Sequence, residues 1–268
     1  VMPVITLLTD FGLSDTFIGV MKGVIWSIAP NAQIADLTHE IPPQNVLEAA
    51  MAVAEAAPYF PAGTIHTCVV DPGVGTARRP MLAFIGGQYF VGPDNGIFSL
   101  LIDKAEDLTA PPVYIDLNKP RFWLPQVSKS FHGRDIFAPV AAHLASGVPF
   151  EELGDPFEDP VRITIPVPQK TSDGWVGQVL HVDHFGNLIT NFTRKELTVQ
   201  NSVNVYVKDR TIKGLTQTFG SCPSGELIAM LDSGGHLEIS VVNGSVAALL
   251  NAGSGEQVRL SINKGEGA

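Results

Sequence analysis

The first seventy residues alternate between short apolar runs and amphipathic segments, an order that few folds can accommodate. Residues 4–8, 34–37 and 64–70 are apolar, β-branched runs that predict strands. Helical periodicity lies between them, in a segment capped by Ser14 and in residues 46–57. The βαβαβ order predicts a parallel sheet with right-handed crossovers, whose ligands bind beyond the carboxyl ends of the strands. The first helix is expected to bury an apolar stripe of Phe17, Val20, Met21, Val24 and Ile25.

Two carboxylates follow predicted strands directly. Asp10 comes after the first strand, in Thr-Asp-Phe-Gly, and Asp71 comes after the third, in Asp-Pro-Gly-Val-Gly. The proline fixes one backbone angle and the glycines permit close approaches, so this loop can hold Asp71 and Arg78 in one rigid place. The alternative is a surface β-turn with an incidental Asp–Arg pair. Both carboxylates are expected at the ligand-binding edge of the sheet.

Further elements extend the first domain as far as Gly147. Strands are predicted at residues 81–84, 88–91 and 113–117, and helices at residues 98–104 and from the 131–135 segment to Gly147. His132 and Gly133 would then lie at a helix N-terminus. Unpaired backbone N–H groups and the helix dipole favour a negative charge or a lone pair there.

Prolines mark the boundary between two predicted domains. Five of them lie within residues 149–169, at a spacing that neither a helix nor a central strand tolerates, which predicts a linker. The chain after it lacks helical periodicity and predicts strands separated by glycine-rich turns, at residues 175–182, 187–192, 203–207, 226–231, 237–242, 247–250 and 258–262. The fold class is therefore α/β, with an α/β domain at residues 1–165 and an all-β domain at 170–268.

Composition excludes several classes of partner. The formal net charge is -10 and no block of Lys or Arg is present, which argues against nucleic acid and anionic membrane surfaces as partners. Cys68 and Cys222 lie far apart without CxxC spacing, so neither a structural zinc site nor a disulfide scaffold is expected. Because no apolar run has membrane-spanning length and no signal core is visible, a cytoplasmic protein is expected.

Metal and cofactor motifs are incomplete. His181, Asp183 and His184 lie close in sequence, but only His181 and Asp183 alternate onto one strand face, so no metal site is expected. His39-Glu40 lacks the second histidine of a zinc-protease helix. The Gly73-Val-Gly segment lacks both the third glycine of a dinucleotide fingerprint and the lysine of a phosphate loop. No cofactor is expected.

Five motifs, each weak alone, occur in one order along the chain: Thr9-Asp10-Phe11-Gly12, Asp71-Pro-Gly-Val-Gly with Arg78, Gly92-Pro-Asp94-Asn95-Gly96, Phe131-His132-Gly133-Arg134-Asp135 and Asp183-His-Phe185-Gly-Asn187. In this combination the chain resembles the adenosine-forming S-adenosyl-L-methionine (SAM) hydrolases, or SAM hydroxide adenosyltransferases, which are relatives of the fluorinase and chlorinase. The resemblance spans residues 7 to about 248. It implies a Rossmann-like first domain, a barrel-like β domain, SAM as substrate, and a homotrimer with active sites between subunits.

The resemblance also implies roles for individual residues. Asp71, Arg78 and His132 match the family's water-activating triad, and Asp10 matches the carboxylate that binds the ribose diol. The remaining substrate contacts that it implies are Gly133, Asp183 for the methionine ammonium group, Phe185 and Asn187 beside adenine, Ser233 for the methionine carboxylate, and the backbone near Val246 and Ala247.

Two positions depart from the halogenase pattern. Gln44 stands where the halogenases have a tryptophan, and Gly234 stands where they have an arginine beside the methionine carboxylate. The methionine end of the substrate is therefore expected to be held differently here.

Two other functions remain open at this level. A halogenase of the same fold would attack C5′ with chloride or fluoride, but the Asp71 carboxylate would repel a halide. A non-catalytic trimer could bind SAM or adenosine as a sensor. The complete Asp-Arg-His set argues against this function.

Overall fold

The computed structural model of the chain describes residues 4–105, 110–197 and 203–262. By its internal contacts the chain divides into two compact units, Val1–Thr164 and Ile165–Ala268. Within the described residues, no helix is long and apolar enough to cross a lipid bilayer.

The first unit is built on one mixed sheet. Its strands are β1 (Val4–Thr9), β2 (Gln33–Thr38), β3 (Ile65–Val69), β4 (Pro80–Ile85), β5 (Gln88–Pro93), β6 (Val113–Asp116) and β7 (Asp155–Phe157). They lie in the order β2-β1-β3-β5-β4-β6-β7. The pairs β1–β2, β1–β3 and β3–β5 are parallel, and the remaining pairs are antiparallel. The predicted parallel strands thus form one side of the sheet, from the edge strand β2 to β5, and the β4–β5 hairpin reverses the chain direction.

Helices cover both faces of this sheet. They are α1 (Phe17–Ile28), α2 (Val46–Ala56), α3 (Ser99–Ala105) and α4 (Ala138–Ala145), with 3₁₀ turns at Ala57–Tyr59, Pro120–Phe122 and Phe150–Glu152 and a π-helical turn at Gly133–Phe137. Leu7 of β1 packs with α1 and α4, whereas the next residue, Leu8, packs with α2 and α3. Because successive side chains of a strand point to opposite faces, β1 contributes to two apolar layers.

Helix α1 differs in detail from its prediction. Thr16 takes the N-cap position without a side-chain hydrogen bond, so Ser14 does not cap this helix. Its buried side chains are Ile18, Met21 and Ile25, while Phe17 and Val20 are exposed. The inward face is thus a narrower i, i+3, i+7 stripe, rotated from the one predicted.

The proline-containing segment is not a linker over its whole length. Strand β7 pairs with β6 and completes the first sheet. Farther along, Val161 N–H donates to Asp94 Oδ1 at 2.8 Å, and Ile163 N–H donates to Ser99 Oγ at 2.9 Å. An edge strand tolerates proline because one side of its backbone needs no partner, which is why the segment can join the sheet.

The second unit is a curved antiparallel sheet. Its strands are β8 (Gln169–Lys170), β9 (Gly174–Val182), β10 (Leu188–Thr193), β11 (Val203–Val207), β12 (Arg210–Lys213), β13 (Leu227–Leu231), β14 (His236–Val241) and β15 (Gln257–Ile262). The order is β12-β11-β15-β9-β10-β14-β13, with β8 paired to β9. Beyond β12, Thr216 N–H donates to Ala229 O of β13 at 2.8 Å, so the two sheet edges approach each other as in a barrel. The predicted fold class, an α/β domain followed by a barrel-like β domain, is confirmed.

Residues 247–250 were predicted as a strand and instead form part of helix α5 (Val246–Leu250). Ser245 caps this helix, because its Oγ accepts the Ala248 N–H at 3.1 Å. Asn251 ends it in the left-handed conformation, with φ of 47°. A Ser cap ahead of Ala-Ala-Leu-Leu favours a helical turn over the strand that apolar composition alone suggested.

Candidate active site

The two strand-end carboxylates lie at the same edge of the first sheet. Strands β1 and β3 are parallel neighbours, with Thr9 opposite Val69, so Asp10 and Asp71 both follow at their carboxyl ends. The chain leaves β1 toward β2 on one side and later returns to β3 on the other. Such a reversal of strand order opens a crevice at the carboxyl ends, where ligands of open α/β sheets bind.

Asp71 and Arg78 form a buried pair across their loop. Arg78 Nε donates to Asp71 Oδ1 at 3.0 Å and to Oδ2 at 3.1 Å, and Arg78 Nη2 also donates to Oδ2. The side chains are only 9% (Arg78) and 5% (Asp71) exposed. The planar guanidinium matches the carboxylate with several charge-assisted bonds, which fixes the orientation of both groups.

His132 completes the array from a different loop. Arg78 Nη2 donates to His132 Nδ1 at 2.8 Å. Since arginine has no acceptor, the neutral imidazole carries its hydrogen on Nε2. Burial and the positive charge of Arg78 lower the pKa of His132 below its ordinary value, so the neutral form dominates near pH 7. Arg78 Nη1 is buried and has no hydrogen-bond partner among the described residues. The array therefore presents an unsatisfied cationic donor.

Gly75 brings the two loops into contact. Its φ is +75°, and a Cβ built there would collide with the carbonyl oxygen of Lys129, three residues before His132. Only glycine can meet both conditions, a left-handed backbone and direct contact with another main chain. The glycine that the sequence suggested as a turn former thus sets the distance between Arg78 and His132.

Gly75→Ala is expected to destabilise the first unit more than Gly63→Ala. Gly63 also has a positive φ, of +81°, but a Cβ there would meet nothing within 4 Å. The left-handed conformation costs roughly 1–2 kcal/mol for a residue with a Cβ, and overpacking adds about 1–3 kcal/mol at Gly75 alone. In thermal unfolding, the wild type should have the highest melting temperature, Gly63→Ala a lower one and Gly75→Ala the lowest. Equal shifts for the two variants would contradict the close contact.

The loop that carries His132 is fixed from behind by Asp135. This carboxylate is fully buried and accepts both the Ser128 N–H and the Ser128 hydroxyl at 2.8 Å. Arg134 Nε donates to its other oxygen at 2.6 Å. His132 stands at the N-cap of the π-helical turn, as the predicted helix start required. Arg134 and Asp135 of the motif thus support the His132 loop.

The Gly92–Gly96 motif holds the Asp71 loop in a similar way. Asn95 Nδ2 donates to the carbonyl of Val70 at 2.8 Å, immediately before Asp71. Asp94 is buried and accepts from Arg79 Nε at 2.9 Å. These contacts explain why the motif belongs with the site although none of its side chains joins the Asp71–Arg78–His132 array.

Asp10 lies in a turn beside the His132 loop. The Phe11 and Phe131 rings meet edge to face at 5.8 Å. Asp10 Oδ2 accepts the backbone N–H of Gln44 at 2.7 Å, and Gln44 has a φ of 65°, a conformation that is uncommon for a residue with a side chain. Asp10 Oδ1 accepts no hydrogen bond from the described residues and can serve a ligand. Gln44, at one of the two departures from the halogenase pattern, thus contacts Asp10 directly.

In the second unit, Asp183, Phe185 and Asn187 share the turn between β9 and β10. Asp183 Oδ1 accepts the N–H groups of Phe185 at 2.9 Å and Asn187 at 2.8 Å, while its Oδ2 accepts Asn187 Nδ2 at 2.9 Å. Asp183 therefore caps its own turn. The Phe185 side chain is 75% exposed, an unusual cost for a phenyl ring outside a binding surface.

The other predicted residues of the second unit lie in helix α5 and in the turn between β13 and β14. Ala247 N–H donates to Gly186 O at 3.0 Å, and the neighbouring Val246 side chain is fully buried in the core. Ser233 is exposed in the turn between β13 and β14, next to Asp232. Burial raises the pKa of Glu238 of β14, and the Asp183 and Asp232 carboxylates raise it further.

Sequence reasoning missed Glu238 and the Thr9–His39 pair. Glu238 is buried and accepts the hydroxyl hydrogen of Ser240. Its only signal was the alternation of polar side chains with apolar ones along β14. Thr9 Oγ1 lies 2.9 Å from His39 Nδ1, a contact between distant positions without a local sequence signal. Among the described residues, no group of three or more His, Cys, Asp or Glu side chains is placed to hold a metal ion.

Comparisons with known proteins identify the family of this chain. Residues 5–154 match the family model of the SAM hydroxide adenosyltransferase N-terminal domain, and residues 177–259 match that of the C-terminal domain. A protein of Thermus thermophilus named (R)-S-adenosyl-L-methionine hydrolase is 42% identical, over 94% of this chain and 97% of that one. A protein of the same name from Salinispora arenicola is 39% identical, over 97% of this chain and 98% of that one.

Solved structures and more distant relatives extend the comparison. The crystal structure of an uncharacterized conserved protein from Thermotoga maritima superposes with a TM-score of 0.88 at 36% identity, covering 96% of this chain and all of that one. Proteins named fluorinase are 25–28% identical. With both domain models matched in order and full-length relatives near 40% identity, the chain belongs to the SAM hydroxide adenosyltransferase family.

Proposed function

We propose that this protein hydrolyses S-adenosyl-L-methionine to adenosine and L-methionine. The observation that carries the proposal is the buried Asp71–Arg78–His132 array, with Arg78 Nη1 unsatisfied at the edge of the sheet where ligands bind. The relatives named (R)-S-adenosyl-L-methionine hydrolase support the substrate and the reaction.

The reaction places one demand on the site. The oxygen of water forms a bond to C5′ of the ribose while the C5′–S bond breaks, and the bonding pair leaves with sulfur as the neutral thioether of methionine. Because a neutral thioether needs no proton to depart, no general acid is required. The site must instead present a hydroxide-like nucleophile in line with the C–S bond and accept its proton.

The three side chains divide this task. Asp71 is acceptor-only, and its lone pairs beyond those used by Arg78 can accept a hydrogen from the attacking water. The free Nη1 hydrogens of Arg78 can bind the oxygen as negative charge develops on it. His132, neutral and bonded to Arg78 Nη2, holds the guanidinium in place. Buried charges interact more strongly than exposed ones, so this array can favour hydroxide over water.

The substrate contacts are proposed from the family pattern and the local geometry. Asp10, with Oδ1 available, would accept the ribose hydroxyls, and Gly133 would line the pocket beside His132. Phe185 and Asn187, with the backbone near Val246 and Ala247, would hold adenine. Asp183 would attract the methionine ammonium group, and Ser233 would bind its carboxylate.

A homotrimer is part of the proposal. The family resemblance implies that first-unit residues of one subunit act with second-unit residues of another. The exposed Phe185 ring supports a shared site, because a residue of a neighbouring subunit or the substrate could cover it. A cytoplasmic location likewise stays a prediction.

Incubation of the purified protein with SAM tests the proposed function. Chromatography should show adenosine and methionine in equal amounts, with or without added chloride and after dialysis against a chelator. A 5′-halogenated nucleoside would instead indicate a halogenase, and intact SAM that binds without turnover would indicate a sensor. Either result would reject the proposal.

A further inference from the structure

We propose that Thr9, His39 and Asp36 form a chain of polar contacts that positions Asp10 for binding the ribose. The proposal deepens the proposed function and rests on it, since it concerns the same site. None of the three residues reaches the Asp71–Arg78–His132 array, so they would act only through Asp10.

The chain of contacts is continuous from helix α1 to the Asp10 turn. Lys22 Nζ donates to Asp36 Oδ2 at 2.6 Å, and Asp36 Oδ1 lies 3.1 Å from His39 Nε2, close although poorly aligned for a linear hydrogen bond. His39 Nδ1 lies 2.9 Å from Thr9 Oγ1, and Thr9 Oγ1 accepts the Phe11 N–H at 3.2 Å. Thr9 and Phe11, which the last contact joins, are the residues immediately before and after Asp10.

The hydrogen positions follow from the chemistry of these groups. A carboxylate only accepts, so Asp36 keeps a hydrogen on His39 Nε2. In the neutral imidazole Nδ1 is then the acceptor, and the Thr9 hydroxyl must donate to it. With its hydrogen used in this way, Thr9 Oγ1 offers its lone pairs to Phe11 N–H. Asp36 thereby sets the orientation of a hydroxyl that holds the turn.

The backbone of His39 holds the same turn from its other side. Gly12 N–H donates to the His39 carbonyl at 2.8 Å. Phe11 and Gly12, the two residues after Asp10, are therefore both tied to the Thr9–His39 pair. Thr9 and His39 are 0% and 3% exposed, so these bonds form where competing water is excluded and misplacement of either residue is costly.

A second Thr–His pair on β1 provides an internal comparison. Thr6 Oγ1 lies 2.8 Å from His66 Nδ1, and both residues are fully buried. Burial lowers the pKa of His66 to about 4, so His66 is neutral near pH 7. The two pairs have the same chemistry, but only Thr9 bonds to the turn that holds Asp10. Replacing Thr6 therefore shows what the loss of a buried Thr–His bond does by itself, and any additional effect of replacing Thr9 reports on the Asp10 turn.

The experiment compares Thr9→Val with Thr6→Val. Valine has nearly the shape of threonine and lacks the hydroxyl, so each variant loses one buried bond to a histidine. Both should be destabilised to a similar extent. Thr9→Val should raise the KM for SAM roughly tenfold and leave kcat within about twofold of the wild-type value. The reason is that Asp10 binds the ribose equally strongly in the ground state and in the transition state. Thr6→Val should leave KM unchanged.

A double-variant comparison tests whether Thr9 acts through Asp10. In an Asp10→Ala background, Thr9→Val should add less than about twofold to KM, since the group that it positions is gone. Equal KM values for Thr9→Val and wild type, the same rise in Thr6→Val, or an undiminished tenfold rise in the Asp10→Ala background would each overturn the proposal.

Calorimetric binding of adenosine separates this proposal from the proposed function. If wild type binds adenosine but does not turn over SAM, the hydrolase assignment fails while the positioning role is still measured by affinity. Thr9→Val should then bind adenosine roughly tenfold more weakly than Thr6→Val. Equal affinity of the two variants would overturn the positioning role whatever the reaction.

Discussion

Asp71→Asn should lower the rate of adenosine formation from SAM by roughly a hundredfold or more, with SAM affinity largely retained. The substitution preserves shape but removes the negative charge and replaces one acceptor oxygen by an NH₂ group. That group would face the Arg78 donors, which now reach both oxygens. The site loses both the acceptor for the proton of water and the orientation of Arg78. Steady-state kinetics and calorimetric binding of SAM measure the two effects separately.

Asp94→Asn is the matched control for this prediction. Asp94 is a buried carboxylate paired with Arg79, the residue next to Arg78, and it lies outside the array. Removing its charge should lower the melting temperature, because the ion pair between the buried Asp94 carboxylate and Arg79 is lost, and should change kcat by less than about threefold. Similar losses of kcat in both variants would mean that the Asp71 effect is structural.

Two variants of low activity, Asp71→Asn and Phe185→Ala, should restore activity when they are refolded together. Asp71→Asn damages the first unit, and Phe185→Ala damages the second without threatening its fold, because the ring is 75% exposed. In a cyclic trimer with sites shared between neighbours, each mixed trimer contains one site with both halves intact. An equal mixture should then regain about a quarter of the wild-type activity, since about three quarters of the trimers are mixed.

The control is each variant unfolded and refolded alone, which should stay at its original low activity. Native mass spectrometry of the mixture establishes that mixed trimers have formed. Mixed trimers without recovered activity would reject shared sites while leaving the Asp71 chemistry unaffected. Monomers alone in every sample would reject the trimer itself.

The sequence predicted the parts of the site that depend on local rules. Asp10 and Asp71 each follow an apolar strand, and parallel neighbouring strands end at one edge, so their common location followed from pattern alone. Proline and glycine indicated the loop after Asp71. The position of His132 at a helix start was likewise visible from the apolar periodicity that follows it.

Contacts between distant positions were not predictable in this way. Nothing near Gly75 in sequence indicates that the Lys129 carbonyl lies against it, although this contact sets the spacing of Arg78 and His132. The same holds for Thr9 with His39, and for Asn95 with Val70. The predictions of two short elements were wrong for a related reason. Helix α5 depends on the cap that Ser245 provides, and strand β7 depends on its pairing with β6. Apolar periodicity indicates neither of these.

The central claim is that water attacks C5′ of the ribose, and isotope labelling tests it most directly. The wild-type protein is incubated with SAM in water enriched in ¹⁸O, and both products are analysed by mass spectrometry. The account predicts one ¹⁸O atom in adenosine, at the 5′ oxygen, and none in methionine. Methionine carrying the label, or adenosine formed without it, would contradict attack of water at C5′.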